Sequence, residues 1–570
     1  MPQKIPEKMT LLLVVLLCVA CKPEETTKSI PVVEAPLSAT EHTLIHNARI
    51  YTMDQGFSTA DSMVFSDSGE VNFVGNVEPM REMFPTARQI DLQGKTIIPG
   101  LIDSHAHLAG LALSLAQAQL QGTTSKDDVI RRLREHEASL SEGDWLLGRG
   151  WDQNDWPVQE FPSSADLDRE FPDRPVWLRR VDGHAAWGNS AALAMADQDL
   201  SGDWQPQGGH IYRDENGQAS GVFVDGAMSL VEKAVPEMSP ELMQASLDLA
   251  LQQMVSLGLT GVHEAGASLQ VLAWFQQRIR DGKFPTRVYA MTDGAGETLD
   301  WLCENGAVID ESGRLYMYSV KLYIDGALGS RGAALLANYS DEAGNSGLLF
   351  MPPEELEGMV DKALGCGFQV GIHAIGDRGN RVALDALEAS ISRHPDNPGR
   401  HRVEHAQVLT ATDIPRFAQL GIIAAMQPTH ATSDMYWAEE RLGAERVQYA
   451  YAWRSLLDSG AHLALGSDFP VEQVNPMLGI HAAVTRQDIK GWPEGGWYPQ
   501  QVLSREEAVR GFTLDAAYAG FMEKSVGSLE PGKRADFIVL SKDVMQVDAA
   551  EIPTIKVLQT WLDGELVWEM

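Results

Sequence analysis

Eight short apolar runs, each followed by a segment of helical pattern, constrain this chain more than any other feature. They fall at residues 96–103, 259–266, 287–293, 319–326, 369–377, 401–407, 421–430 and 462–468. Buried strands alternating with helical crossovers predict an α/β fold, a parallel (β/α)8 TIM barrel. The first gap is far too long for one crossover, so an insertion over about residues 144–231, rich in Trp, Gly and Asp, is expected after the first β/α unit. Strand-like runs recur at both chain ends, the last with Asp563-Gly564 placed as a hairpin turn. Neither end holds enough apolar surface for its own core. Residues 42–95 and 521–570 are therefore expected to join in one discontinuous β-sandwich around a barrel of residues 96–520.

The first forty residues have a different character. Lys4 and Lys8 precede the apolar stretch 11–20, too short for a permanent membrane helix but matching a signal-peptide core. Residues 1–20 are read as a signal peptide and 21–41 as a polar tether. Val19-Ala20-Cys21 resembles the cleavage box of a bacterial lipoprotein signal, although Cys18 stands where Leu is usual. That resemblance implies lipidation of Cys21 and attachment to a membrane by the lipid anchor alone. Lys22 after the acylated cysteine resembles an outer-membrane retention pattern, facing the periplasm; simple secretion with an unmodified Cys21 is the alternative. Cys303 and Cys366 are left in the folded body, as a disulfide or as two free thiols. The net charge of −34 is dispersed and no Lys/Arg run interrupts it, which argues against nucleic-acid binding.

Chemistry concentrates at the ends of the predicted strands. His105 and His107, two apart after an apolar run, project from the same side in a chelate geometry. His373 ends the fifth predicted strand, His405 the sixth and Asp468 the eighth. Those ends converge on one barrel face, so side chains of zinc-ligand type meeting there predict a divalent metal centre, with zinc favoured.

The string IIPGLIDSHAHL, with VGIHAIGDRGN, RVEHAQ, ALGSDFPVEQVNP and GSLEPGKRADFIVL, resembles the metal-dependent amidohydrolase superfamily. RVDGHAAWGNSAAL, VKLYIDGALGSRGAAL and QPTHATSD are similar to motifs of its family 3 branch, which includes N-substituted formamide deformylases. The resemblance covers about residues 42–570. It implies that His105 and His107 bind a first metal, and that His373 and His405 bind a second or complete a single site. It implies that Asp468 touches the metal and takes the proton from its water, and that Lys321 is N-carboxylated and bridges two metals. The unmodified alternative pairs Lys321 with Asp325 or Asp377. The implied reaction is hydrolysis of an amide-type C–N bond by a metal-bound hydroxide.

Around this centre, His184 in the insertion is a candidate to polarise or recognise the substrate. His430 and Asp434 are placed in the pocket lining, Asp377 behind the ligands, and His263-Glu264 in the packing. Trp151, Trp156 and Trp187, with Trp492 and Trp497 on a later loop, suggest a pocket for a small molecule with an apolar or aromatic group; Trp151 and Trp187 are the candidate contacts. A deaminase or lactonase on the same metal site is the alternative activity, and a non-catalytic tethered binding protein a further one.

Overall fold

Eight parallel strands form the central sheet: β1 (Leu101–Ala106), β2 (Leu259–Ala267), β3 (Arg287–Thr292), β4 (Leu315–Tyr323), β5 (Gln369–Ala374), β6 (Arg402–His405), β7 (Ile423–Met426) and β8 (His462–Leu465). They are hydrogen-bonded in sequence order from β1 to β8. Buried residues occupy both faces of almost every strand, as a parallel sheet covered by helices requires. The computed structural model describes residues 41–570 except 139, 142 and 237. The signal segment, Cys21 and the tether up to residue 40 lie outside the described residues, in which no helix is long and apolar enough to cross a membrane.

The seam between β1 and β8 is closed just beyond the strand ends. Asp468 N–H donates to the His105 carbonyl at 2.7 Å, and His107 N–H donates to the Phe469 carbonyl at 2.8 Å. The Ser467 hydroxyl donates to the Asp103 carboxylate at 2.6 Å. Gly466 permits this approach, because a Cβ there would lie 2.5 Å from Asp103 Oδ1. The barrel thus closes through the segments that carry His105, His107 and Asp468.

The first apolar run does not lie in one strand. Its start belongs to the strand Arg88–Pro99, which pairs Ile98 with Ile538, and the chain passes at Gly100 into β1. The run is uniformly apolar because two different cores bury it in succession. Strands from both chain ends form one eight-stranded sheet, with Arg88–Pro99 between His42–Tyr51 on one side and Phe537–Leu540 on the other. Asp563 and Gly564, both at positive φ, turn the hairpin between Val557–Leu562 and Glu565–Glu569.

A third sheet of six strands runs from Ala118–Gln119 to Ala219–Asp225. It begins well before residue 144: the helix Lys126–Glu137 packs Val129 and Leu133 into the same core as Leu146, Leu178 and Trp187. Only the helix Leu108–Leu115 separates β1 from this extra sheet. Cys303, in the helix Glu297–Asn305, is disulfide-bonded to Cys366 after the helix Pro353–Gly365.

Candidate metal centre and cavity

The carboxyl ends of the barrel strands and the edge of the extra sheet enclose a cavity of about 550 Å³. His105 ends inside β1 and His107 immediately follows it, so the two imidazoles approach each other edge to face with ring centres 5.6 Å apart. Asp468 lies between them, its Oδ1 3.1 Å from His107 Nε2 and 3.6 Å from His105 Nε2. His405 and His430 reach Asp468 from β6 and from the helix Pro428–Asp434, with His430 Nε2 3.8 Å from Asp468 Oδ2. Two triads, His105–His107–Asp468 and His405–His430–Asp468, therefore share one carboxylate, each with its donor atoms within 4.8 Å of one another.

His430, read from sequence as a pocket-lining residue, stands among the metal-type donors. His373 lines the cavity beside His405, ring centres 4.5 Å apart, but falls outside both triads; its Nε2 lies 3.8 Å from Asp325 Oδ1. Lys321 is fully buried on β4, its Nζ 3.4 Å from His105 Nε2 and over the Tyr323 ring. It pairs with neither Asp325 nor Asp377. Asp325 instead accepts backbone N–H groups of Ala334, Ile375 and Gly376. Asp377 accepts from Leu336 N–H and touches no candidate ligand, so it does not stand behind the ligands as the sequence reading had it.

The backbone is strained where the donors sit. His405 and Asp468 both have positive φ, 73° and 63°, a conformation held only when the surroundings impose it. Burial holds His105, His373 and His405 well below the ordinary imidazole value and lowers His107, so these rings stay neutral, as metal ligands must be. Burial works against the Asp468 charge, yet the hydrogen bond from His107 keeps its carboxyl below the ordinary value. Burial also lowers the Lys321 ammonium to about 8, within reach of the neutral amine.

The supporting residues were the ones least visible in the sequence. Glu404 accepts from His105 Nδ1 at 2.5 Å and is itself held by Arg402, whose guanidinium also reaches His263 Nδ1 and the Ser104 carbonyl. His405 Nδ1 is tied to Gln427 Oε1 at 2.8 Å. Each of these bonds fixes a tautomer and leaves Nε2 with its lone pair. Glu264, expected only to pack, accepts from the Leu108 and Ala109 amides at the start of the helix Leu108–Leu115, and burial pushes its carboxyl up to about 8. Glu404 carries no signal in the sequence, because the ring it fixes, His105, lies on another strand.

His184 comes from the extra sheet. Its Nδ1 is 2.7 Å from Asp225 Oδ1 and its ring centre 5.1 Å from that of His373. Burial pulls its pKa down, but the hydrogen bond and charge of Asp225 prevail and hold it above the ordinary value. Asp434 lines the cavity and accepts from the Tyr451 hydroxyl at 2.6 Å. Trp151 and Trp187 are not cavity contacts. Both are fully buried with Trp156 in the core of the extra sheet, their indole N–H groups donating to the Leu178 and Ser163 carbonyls. A small sheet needs such bulk to fill its own core. Trp497 is buried against Tyr451, and Trp492 stacks on Tyr436 outside the cavity lining. Trp437 is the tryptophan that lines it.

The donor set fits a divalent ion. His373 Nε2 and His430 Nε2 are buried without a hydrogen-bond partner, which is costly unless a cation receives them. The chain is 35% identical over 92% of its length to Protein LONG AFTER FAR-RED 3 of Arabidopsis thaliana, covering 91% of that protein. It is 34% identical to the putative amidohydrolase YtcJ of Bacillus subtilis over 92% of its length and 99% of the relative's. The N-substituted formamide deformylase of Arthrobacter pascens is 27% identical, with 92% and 98% covered. The crystal structure of an uncharacterized metal-dependent hydrolase from Pyrococcus horikoshii superposes with a TM-score of 0.72 at 29% identity, covering 89% of this chain and 99% of that one. The amidohydrolase family model matches residues 88–568, and the chain belongs to that family.

Proposed function

We propose that the protein is a metal-dependent hydrolase of amide-type C–N bonds. The observation that carries this reading is the pair of donor triads sharing Asp468 at the carboxyl ends of the barrel strands. His105, His107, His405, His430 and Asp468 would hold the ion or ions, with His373 beside them; zinc suits this imidazole-rich set. A bound divalent ion supplies a Lewis acid and a water acidified to near neutrality.

The chain's own groups do the rest. Asp468, ionised and at the centre of the cluster, accepts the proton of the attacking water and passes it toward the leaving amine. Glu404 and Gln427 keep the His105 and His405 rings in the ligating tautomer. His184, held by Asp225 and facing His373, donates a hydrogen bond to the substrate carbonyl as its oxygen gains charge. Lys321, buried with no carboxylate in hydrogen-bond contact, would lose one proton to become the neutral amine and a second as its nitrogen bonds the carbon of carbon dioxide, giving a carbamate. Labelling with ¹³C-bicarbonate tests this, a carbamate carbon resonance absent from Lys321→Ala being the expected result.

Elemental analysis followed by a screen of N-acyl amines, N-formyl amines, cyclic amides and lactones tests the activity. Turnover of an amide-type member is expected; turnover of lactones alone would contradict the reading. We also propose export, with a lipid on Cys21 and an outer-membrane position facing the periplasm. The disulfide supports an oxidising compartment. Palmitate labelling should disappear in Cys21→Ser.

A further inference from the structure

Three arginines of the extra sheet line the cavity, and two of them are paired. Arg179 meets Glu232 at 2.8 Å, and Arg180 is held between Asp152 and Asp182. Arg149, on the strand Leu146–Trp151, forms no ion pair among the described residues. Its Nη2 donates to the Val181 carbonyl at 3.3 Å, and its Nε is buried with no acceptor. Burial and the neighbouring Arg179 lower its pKa to about 10, so it remains a cation at neutral pH. The charges of Asp468 and Asp182 favour it from beyond ion-pair contact; a guanidinium always charged, largely removed from water and touching no carboxylate is costly unless something else brings the anion.

Its position indicates what that is. Arg149 lines the same cavity as His107, Asp468 and His184, and the backbone beside His184 packs on it, a Cβ at Gly183 lying 3.4 Å from Nη2. The other unpaired cation on the lining, Lys321, is committed to the donor cluster. Of the acids on the lining, Asp152 and Asp182 hold Arg180, Asp468 belongs to the donor cluster, Glu264 accepts two backbone N–H groups and Asp434 the Tyr451 hydroxyl, which leaves Asp155 and Glu472 to oppose an anion. Burial pushes their carboxyls up to about 6 and about 7, which weakens that opposition near neutrality. A planar fork of N–H donors matches a carboxylate in two parallel hydrogen bonds.

Resting on the hydrolase reading above, we propose that Arg149 anchors a carboxylate of the substrate, so that the bond cleaved belongs to an N-acylated acid rather than to a neutral amide. N-sulfonyl amino acids and the matching N-sulfonyl amino alcohols form a charged and neutral pair with no amide bond to hydrolyse. Calorimetric titration of the metal-loaded protein with several such pairs should give at least tenfold tighter binding of the acid. Arg149→Gln should abolish that preference while leaving binding of the neutral alcohol within about twofold, which also reports that the variant is folded; Arg149→Lys should keep part of it. Absence of a preference in the wild type, including failure to bind either member, overturns the proposal, as does a preference that survives Arg149→Gln. Turnover separates the two readings. Equal hydrolysis of neutral and acidic amides would remove the carboxylate anchor and keep the hydrolase, whereas Arg149-dependent binding without hydrolysis of any amide would do the reverse.

Discussion

The barrel mouth and the extra sheet face each other across one cavity, and they obey different rules. At the mouth, His105, His107, His405 and Asp468 stand at or just beyond strand ends, where parallel strands and the closure of β8 onto β1 leave little choice of direction. In the extra sheet, residue type misleads. Its tryptophans form its core, while arginines and aspartates of neighbouring positions face the cavity. Chemistry is fixed by position in a large closed sheet, and recognition is whatever polar surface a small sheet has left after filling its core.

The widest break between the two regions should come from the donors. His105→Ala or Asp468→Asn should lower turnover by at least about a thousandfold with secondary structure intact by circular dichroism, since both remove a group on which the reaction depends. Trp151→Ala should instead cost about 3–5 kcal/mol in denaturant unfolding and leave KM unchanged in the folded fraction. A raised KM at full stability would return Trp151 to the cavity.

Behind the donors, Glu404→Gln should weaken metal affinity about 10–100-fold, read by competition with a chromophoric chelator. It also leaves Arg402 without its buried charge partner, so a loss of stability accompanies it. Unchanged metal affinity would mean that Glu404 serves packing alone. The disulfide lies outside the cavity lining. Cys303→Ala with Cys366→Ala should lower stability by about 2–4 kcal/mol without altering kcat.

How much was legible follows from the same contrast. The eight runs, read by apolarity and length, locate all eight barrel strands, and the first misleads only because Thr96–Pro99 and Leu101–Ala106 serve two cores in one continuous apolar string. His105, His107, His405 and Asp468 were visible because strand ends announce themselves. His430 was underrated because it sits one turn into a helix, where no strand period points inward. Glu404 and Arg402 were invisible because a charged pair inside an apolar strand has no signature until its partner, His105, is known to lie 2.5 Å away.

The smallest effect sharpens the comparison within a single strand. His401, just before β6, is buried far from the mouth end and accepts the Val370 N–H through Nδ1. Burial lowers its pKa to about 4, so the folded protein holds it neutral while the unfolded chain, near 6.5, takes up a proton. Its contribution is fully present above pH 6.5 and is lost as the pH falls toward 4, by up to about 3 kcal/mol. His401→Gln should flatten that part of the stability profile, measured by urea unfolding across pH, and an unaltered slope would refute the assignment.

The central claim is that the clustered histidines and Asp468 hold an ion on which amide hydrolysis depends. Elemental analysis and turnover of the best amide from the screen, in the same sample before chelation, after it and after zinc is returned, test it most directly. The account predicts bound metal and turnover at first, neither after chelation, and both restored by zinc, with His105→Ala failing to recover. Undiminished turnover in protein shown to be free of metal would contradict it.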